Sequence, residues 1–144
     1  MYIGYMNNFE QCLNLELRKA NRVLSQLYDS YLQECGLKTS QFSILRAVRF
    51  LKKTTNSELQ EVLVLDQTSL SRALKPLIRD ELIVANPGTD RRQKELSLTD
   101  KGKDLYKEAE EHWNMAQEYV SKALGEESKH RLLSMSQSVV ALKG

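Results

Sequence analysis

From Phe9 to Glu34 the chain contains neither proline nor glycine, and its apolar side chains recur at the spacing of an α-helix. Steps of four and three residues alternate along this apolar seam, which places its members on one helix face. The seam consists of Leu13, Leu17, Ala20, Leu24, Leu27 and Tyr31. A helix of this length spans roughly 40 Å. Further apolar residues lie off the seam, so the helix needs packing partners on more than one side.

Three shorter helices are predicted for the next part of the chain from their capping residues. Thr39 or Ser40 is expected to cap the first helix. Thr55 with Glu58 has the form of a capping box for the second helix, in which each side chain accepts a hydrogen bond from a backbone N–H near the other. Asp66 is expected to cap the third helix.

A short β-hairpin is predicted after these helices. Residues 82–85 form a β-prone run, and residues 95–98 alternate polar and apolar side chains. The segment 86–90 between them, with the sequence Asn-Pro-Gly-Thr-Asp, carries a strong turn signal. The flank of the hairpin is basic, with Arg91, Arg92 and Lys94.

A second long helix and a closing helix are predicted for the rest of the chain. Thr99 or Asp100 is expected to cap the long helix, Gly125 to end it, and Glu126 to begin the last helix. The predicted fold class is mainly α with a small β-hairpin, in one domain of residues 1–144. Two long apolar helices at opposite chain ends exceed what one core of this size can cover, so two chains are expected to pair.

Composition and motifs exclude several classes of protein. Apolar residues make up 41% and charged residues 28% of the chain, as in ordinary globular proteins, and no apolar run is long enough to span a bilayer. Residues 1–14 lack the blocks of a secretory signal, which predicts a cytoplasmic protein. The two cysteines and two histidines have no metal-ligand spacing, and no phosphate loop or nucleophile motif is present. We therefore expect no metal, no cofactor, no membrane partner and no enzymatic activity.

Charge and pattern in the middle of the chain favour contact with DNA. The net charge is +2, but residues 40–103 hold 12 basic and 8 acidic side chains, whereas residues 104–144 hold 5 and 7. Residues 59–72 have the pattern of a helix-turn-helix, whose second helix opens with small and polar side chains that can approach base edges. The residues that can point outward from this helix are Gln67, Thr68, Ser69, Ser71, Arg72 and Lys75.

Arg72 is the strongest candidate for a base contact, because its guanidinium can bind guanine O6 and N7 together. A small three-helix core with a solvated face would explain any one of these polar residues alone. The basic hairpin that follows shifts the balance toward DNA, since a cationic wing can reach phosphates or the minor groove.

Three motifs, in this order, resemble the MarR (multiple antibiotic resistance regulator) family of winged helix-turn-helix transcription regulators. Leu70 to Leu77 is similar to the recognition helix of the family, and Asp90-Arg91-Arg92 is similar to its wing tip. Leu98 to Gly102 is similar to the start of the helix that returns to the dimer interface. The similarity extends over nearly the whole chain.

The resemblance implies a homodimer that binds double-stranded DNA. Residues 8–35 and 104–144 would form the dimerisation helices, and residues 39–103 the winged helix-turn-helix lobe. Two recognition helices would then lie about 34 Å apart and bind a pseudo-palindromic operator. The implied activity is regulation of transcription as a repressor. The alternative is a winged-helix protein-protein interaction module without DNA specificity.

The resemblance also assigns roles to individual side chains. The recognition helix would read bases, Asp90 would position the wing, and Arg91 and Arg92 would occupy the minor groove. Lys75, Lys94 and Ser40 are candidates for phosphate contacts. Val64 and Glu81 stand where the family usually has glycine, which predicts modest strain at Val64.

Members of this family often respond to small aromatic ligands or to oxidants. We therefore expect a small aromatic ligand, and Cys12 is the candidate redox sensor. The alternative for Cys12 is a small apolar residue in the dimer core. Cys35, beside a helix-ending glycine, is expected to be the more exposed of the two cysteines.

Overall fold

Six α-helices and one antiparallel hairpin make up the residues that this computed structural model describes, 12–90 and 92–144. The helices are α1 (Leu13–Leu32), α2 (Thr39–Leu51), α3 (Asn56–Leu63), α4 (Gln67–Arg79), α5 (Asp100–Leu124) and α6 (Glu126–Val140). The strands are β1 (Ile83–Pro87) and β2 (Lys94–Leu98), and short 3-10 turns cover Gln33–Cys35 and Ala141–Lys143. The predicted element order and fold class are confirmed. The predicted start of the first helix, before residue 12, lies outside the described residues.

One apolar core joins α2, α3, α4, the hairpin and α5. Phe42, Leu45 and Val48 of α2 are at most 1% exposed, as their spacing predicts. The ring of Phe42 stacks on Tyr106 and Trp113 of α5, with centroid distances of 5.3 and 5.6 Å. The lobe formed by α2, α3, α4 and the hairpin is therefore packed directly against the second long helix.

Two of the predicted helix caps are confirmed. Asp66 Oδ1 accepts a hydrogen bond from the backbone N–H of Ser69 at 2.7 Å, at the start of α4. Thr99 Oγ1 accepts from the N–H of Gly102 at 2.9 Å, at the start of α5. Each bond satisfies one of the backbone donors that a helix N-terminus leaves free.

The predicted cap of α2 is wrong. Thr39 is the first helical residue, and Lys38 occupies the cap position. The free backbone donors are satisfied from elsewhere, since Asp29 Oδ1 of α1 accepts from the Thr39 N–H at 2.7 Å and Gln41 Oε1 accepts from the Lys38 N–H at 2.9 Å. The start of α2 is thus bonded to α1, a contact between residues too far apart for a local capping pattern to indicate.

The predicted capping box of α3 is half confirmed. Thr55 Oγ1 accepts from the Glu58 N–H at 3.2 Å. Glu58 Oε2, however, accepts from the Thr54 hydroxyl at 3.2 Å, and not from a backbone donor. Thr54 is 2% exposed and exchanges two backbone hydrogen bonds with Leu96, at 3.0 and 2.7 Å. This isolated bridge lies beside the two-stranded hairpin and ties the start of α3 to β2.

The hairpin pairs Ile83 with Leu98 at its base and Pro87 with Lys94 toward its tip. Inward-facing Ile83, Leu96 and Leu98 are at most 8% exposed. The base of the hairpin is therefore buried in the core, and its tip is exposed to solvent. We call this hairpin, residues 83–98, the wing.

The long helices pack against each other but leave much apolar surface exposed. Contacts join α1 to α5 and α5 to α6, yet none of the 15 residues of α6 is buried. Leu13 of α1 and Leu142 after α6 are 87% and 83% exposed. Among the described helices, none combines the length and hydropathy needed to cross a membrane.

Candidate nucleic-acid interface

Helix α4 divides into a buried and an exposed face. Leu70, Leu74 and Leu77 are at most 4% exposed and hold the helix against the core. The six polar residues predicted to point outward are all exposed, namely Gln67, Thr68, Ser69, Ser71, Arg72 and Lys75. The helix continues through Pro76 to Arg79. Its first turns therefore present the predicted residues to solvent.

The first turn of α4 is fixed by Asp66. In addition to its bond from the Ser69 N–H, the carboxylate accepts from the Ser69 hydroxyl at 3.0 Å. These two bonds from Ser69 lower the pKa of Asp66. A hydroxyl has only one proton to donate. While Ser69 donates it to Asp66, the Ser69 oxygen can only accept a hydrogen bond from a ligand.

The turn that precedes α4 is strained. Val64 ends α3 with a φ of +53°, in the left-handed region that β-branched residues avoid. Its N–H bonds to carbonyl oxygens of α3, which closes the turn. Glu81, after α4, has a φ of +61°. Val64 and Glu81, which stand where the family usually has glycine, thus both have a positive φ.

Asp90 organises the tip of the wing. Its Oδ1 accepts from the backbone N–H of Arg92 at 3.1 Å, and its carbonyl oxygen accepts from the N–H of Gln93 at 3.0 Å. The Gln93 carbonyl in turn accepts from the Gly88 N–H at 3.1 Å. Arg92 and Lys94 are exposed. Arg91 lies outside the described residues.

A groove of about 630 Å³ lies between α3, α4 and the wing. It brings Gln67, Ser71 and Lys75 together with Arg92 and Lys94, so five of the predicted site residues line one surface. Sequence reasoning missed the polar residues that complete this groove, Thr55, Asn56, Ser57, Gln60 and Gln93. The signal that could have found most of them is the capping pattern at Thr55, because the N-terminus of a helix directs free N–H groups toward an anion.

Five predicted DNA-contact residues of the described part of the chain lie outside the lining of this groove, among them Asp90 at the wing tip. Thr68, Ser69 and Arg72 are exposed on α4 beside it. Ser40 is exposed in the first turn of α2, and its phosphate contact stays a prediction.

The two cysteines differ from the expected order of exposure. Cys12 is exposed, and its Sγ accepts from the Leu15 N–H at 3.4 Å at the start of α1. Cys35 is half-buried, which corrects the expectation that it is the more exposed. Burial and the nearby carboxylates of Glu108 and Glu34 raise the pKa of the Cys35 thiol. The redox role of Cys12 stays a prediction.

A second cavity, of about 590 Å³, lies between α2, α3 and α5. Its wall includes the stacked rings of Phe42, Tyr106 and Trp113. The guanidinium of Arg46 lies 4.7 Å from the Trp113 ring centroid, and that of Arg49 lies 5.2 Å from the centroid of Tyr106. The lining also includes the carboxylate of Glu110, so the cavity combines an aromatic wall with charged groups of both signs, which suits a small polar aromatic ligand.

Tyr106 is held as a neutral phenol in this wall. It is 3% exposed, and its hydroxyl donates to Glu110 Oε2 at 2.7 Å. Burial and the bond to Glu110 raise the pKa of Tyr106 to about 12.

Comparison with known proteins agrees with this geometry. Residues 37–102 match the model of the winged helix DNA-binding domain family. The crystal structure of the transcriptional regulator MosR of M. tuberculosis in complex with DNA is 30% identical, covers 93% of this chain and 100% of its own, and superposes with a TM-score of 0.81. A variant of MarR from E. coli complexed with operator DNA shares the fold, with a TM-score of 0.82 over 92% of this chain and 96% of its own at 22% identity.

Curated relatives match the middle of the chain. An uncharacterized HTH-type transcriptional regulator of Staphylococcus aureus is 34% identical over 82 residues, which are 56% of this chain and 56% of the relative. The matched part thus spans about half the length of that relative. The similarity to MosR, at 30% identity, covers the whole of that chain, so it is not limited to the middle of the sequence. The chain belongs to the MarR family of winged helix-turn-helix DNA-binding transcription regulators.

Proposed function

We propose that the chain is a homodimeric repressor that binds a pseudo-palindromic operator in double-stranded DNA. The observation that carries this proposal is the groove in which polar residues of α4 meet Arg92 and Lys94 of the wing. A recognition helix and a cationic wing on one surface match the major groove and the adjacent backbone or minor groove of B-DNA. Such a repressor acts in the cytoplasm, where it meets the chromosome, and needs no catalytic group.

Each part of the surface has its own role. Gln67, Thr68, Ser69, Ser71 and Arg72 read base edges, with Arg72 bound to a guanine. Arg91 and Arg92 enter the minor groove, and Asp90 holds the wing tip in place through its bond to the Arg92 N–H. Lys75, Lys94 and Ser40 bind phosphates, which position the protein without reading sequence.

Dimerisation through residues 8–35 and 104–144 is supported by the apolar surface that the long helices leave exposed. Met135 and Val139 of α6 are 66% and 46% exposed, and Leu17 of α1 is 44% exposed. Apolar side chains exposed to this extent mark an interaction surface where they lie together in a folded protein. A two-fold axis through them would place two copies of α4 about 34 Å apart.

Release from DNA is assigned to a small aromatic ligand. The cavity between α2, α3 and α5 supports this assignment, because its wall includes the half-buried ring of Trp113, and Arg46 and Arg49 offer positive charge. The cavity joins the long helix α5 to the lobe that carries α4, so a ligand there can shift the spacing of the two recognition helices.

Two arginine variants test the proposed interface. DNA fragments retained by the purified protein at moderate salt are sequenced first, and binding to the resulting site is then measured by fluorescence anisotropy over a range of salt. Arg72→Ala should cost about 1–3 kcal/mol at one base pair and relax specificity there. Arg92→Ala should weaken binding to all sequences and reduce the slope of log affinity against log salt by about 1.

Arg79→Ala is the matched control, since Arg79 is exposed at the far end of the same helix and pairs with Asp80 at 3.1 Å. It should bind the site as the native protein does. Native affinity of both Arg72→Ala and Arg92→Ala would show that the interface is wrongly placed. A folded protein whose binding to duplex DNA does not depend on salt would instead favour the protein-protein interaction module.

A further inference from the structure

The fold brings together three side chains of different metal-binding chemistry outside the DNA-facing groove. The sulfur of Cys35, a carboxylate oxygen of Glu108 and a ring nitrogen of His112 all lie within 4.8 Å of one another. Cys35 ends the 3-10 turn after α1, whereas Glu108 and His112 belong to α5. The separation of Cys35 from the other two in sequence explains why spacing did not indicate the cluster.

Local structure holds these groups in place. Glu108 and His112 are four residues apart on α5, so their side chains project from the same helix face. Gly36 has a φ of +70°, which turns the chain immediately after Cys35, and its N–H bonds to the Gln33 carbonyl at 2.9 Å. The 3-10 turn then contacts α5. Two separate elements thus converge on one point.

A fourth donor adjoins the three. Glu34 Oε2 lies 3.9 Å from His112 Nε2, and both Glu34 and Glu108 act electrostatically on the Cys35 thiol. Within residues 12–90 and 92–144, the Cys35 thiol and the Glu108 carboxylate have no hydrogen-bond donor or ion-pair partner. The cluster therefore combines a half-buried thiol, two carboxylates and an imidazole, and no lysine or arginine of the described residues forms an ion pair with any of them.

We propose that Cys35, Glu108 and His112 bind a divalent transition-metal ion of the Zn²⁺ type, with Glu34 as the fourth ligand. Sulfur, nitrogen and carboxylate oxygen are the donors that Zn²⁺ takes in tetrahedral sites, at about 2.0–2.3 Å. Glu34 and Glu108 are exposed, so their side chains are not held by core packing, and the donor atoms of Cys35, Glu108 and His112 already lie within 4.8 Å of one another. A thiolate and an imidazole disfavour Mg²⁺ and Ca²⁺, which prefer oxygen ligands alone.

Cobalt titration of the reduced, metal-free full-length protein tests the site without reference to DNA. Co²⁺ is the spectroscopic probe, because a bound thiolate adds a charge-transfer band in the near ultraviolet and tetrahedral coordination gives intense visible bands. We expect one Co²⁺ per chain, displaced by Zn²⁺ and retained in a large excess of Mg²⁺. Cys35→Ser should abolish the charge-transfer band, and Glu108→Gln or His112→Gln should weaken binding at least about 10-fold.

The matched controls are Cys12→Ser and His130→Gln, which replace the other cysteine and the other histidine of the chain. Both should keep the bands and the native affinity. Far-ultraviolet circular dichroism checks the fold of every variant, and the exposed Glu108 offers a substitution that leaves the core intact. The proposal is overturned if no bands develop, if they vanish in Cys12→Ser, or if Glu108→Gln and His112→Gln both bind Co²⁺ as tightly as the native chain.

Discussion

At the scale of single residues, backbone strain is concentrated around the helix-turn-helix. Lys52, Val64 and Glu81 adopt positive φ angles of 67°, 53° and 61° without being glycine. The left-handed conformation costs an L-residue roughly 1–2 kcal/mol. The family pattern indicated Val64 and Glu81, but nothing in the sequence indicated Lys52. Lys52, with a ψ of −56°, is the centre of a three-residue turn in which the Lys53 N–H bonds to the Leu51 carbonyl at 2.8 Å. The next residue, Thr54, pairs with Leu96, more than forty residues later.

Substitution of Val64 by glycine measures this strain. Val64 is 46% exposed and lies outside the core cluster, so Val64→Gly removes no core contact while it relieves the unfavourable φ. We expect a gain in unfolding free energy of about 1 kcal/mol, measured by urea denaturation at fixed protein concentration. Val62→Gly is the control, because Val62 is 56% exposed within α3 and should lose about 1 kcal/mol. A loss of stability in both variants would mean that the turn is not strained.

At the scale of helices and strands, periodicity and local caps predicted most of the fold. The helix predicted from the seam and the caps Asp66 and Thr99 depend on residues close in sequence, and the structure confirms them, whereas the burial of the seam stays a prediction. What local patterns could not supply are contacts between distant elements, such as Asp29 with the start of α2. The same holds for the candidate sites. The polar face of α4 was predicted, whereas the contribution of α3 to the groove was not.

Gly102 shows how closely two such elements approach. A Cβ at this position would lie 2.0 Å from the carbonyl oxygen of Leu82, which precedes the wing. That carbonyl also accepts from the Thr99 N–H at 3.1 Å, so it cannot move without loss of this bond. The start of α5 and the base of the wing therefore require glycine here, a reason that the sequence motif alone does not reveal.

Gly102→Ala should accordingly separate α5 from the wing. We expect a loss of about 3 kcal/mol in unfolding free energy, at the upper end of the cost of overpacking, as a lowered midpoint in urea. Gly36→Ala is the comparison, because its added Cβ meets no atom within 4 Å and only the left-handed φ of +70° is unfavourable. It should lose about 1 kcal/mol. Equal losses in the two variants would argue against a steric role for the contact with Leu82.

At the scale of the whole molecule, the distribution of apolar surface separates two regions. The buried side chains of the lobe form one core with α5, whereas α6 has no buried residue. Met135 and Val139 lie on the same side of α6 as Leu132, at steps of three and four residues. A helix with such a seam is stable in water when another surface covers it, and a second copy of the chain is the partner proposed above.

Charge reversal of this seam tests the assembly and its consequence for DNA binding together. The double variant Met135→Glu, Val139→Glu places four carboxylates at the two-fold interface, so we expect monomers in sedimentation velocity at micromolar concentration. Operator affinity should fall steeply in anisotropy, because a monomer contacts only one half-site. Ser134→Glu, Gln137→Glu adds the same charge on another side of α6 and should remain dimeric. If the first variant is dimeric and binds the full operator normally, then α6 does not carry the interface, and the spacing of the recognition helices must be set by other contacts.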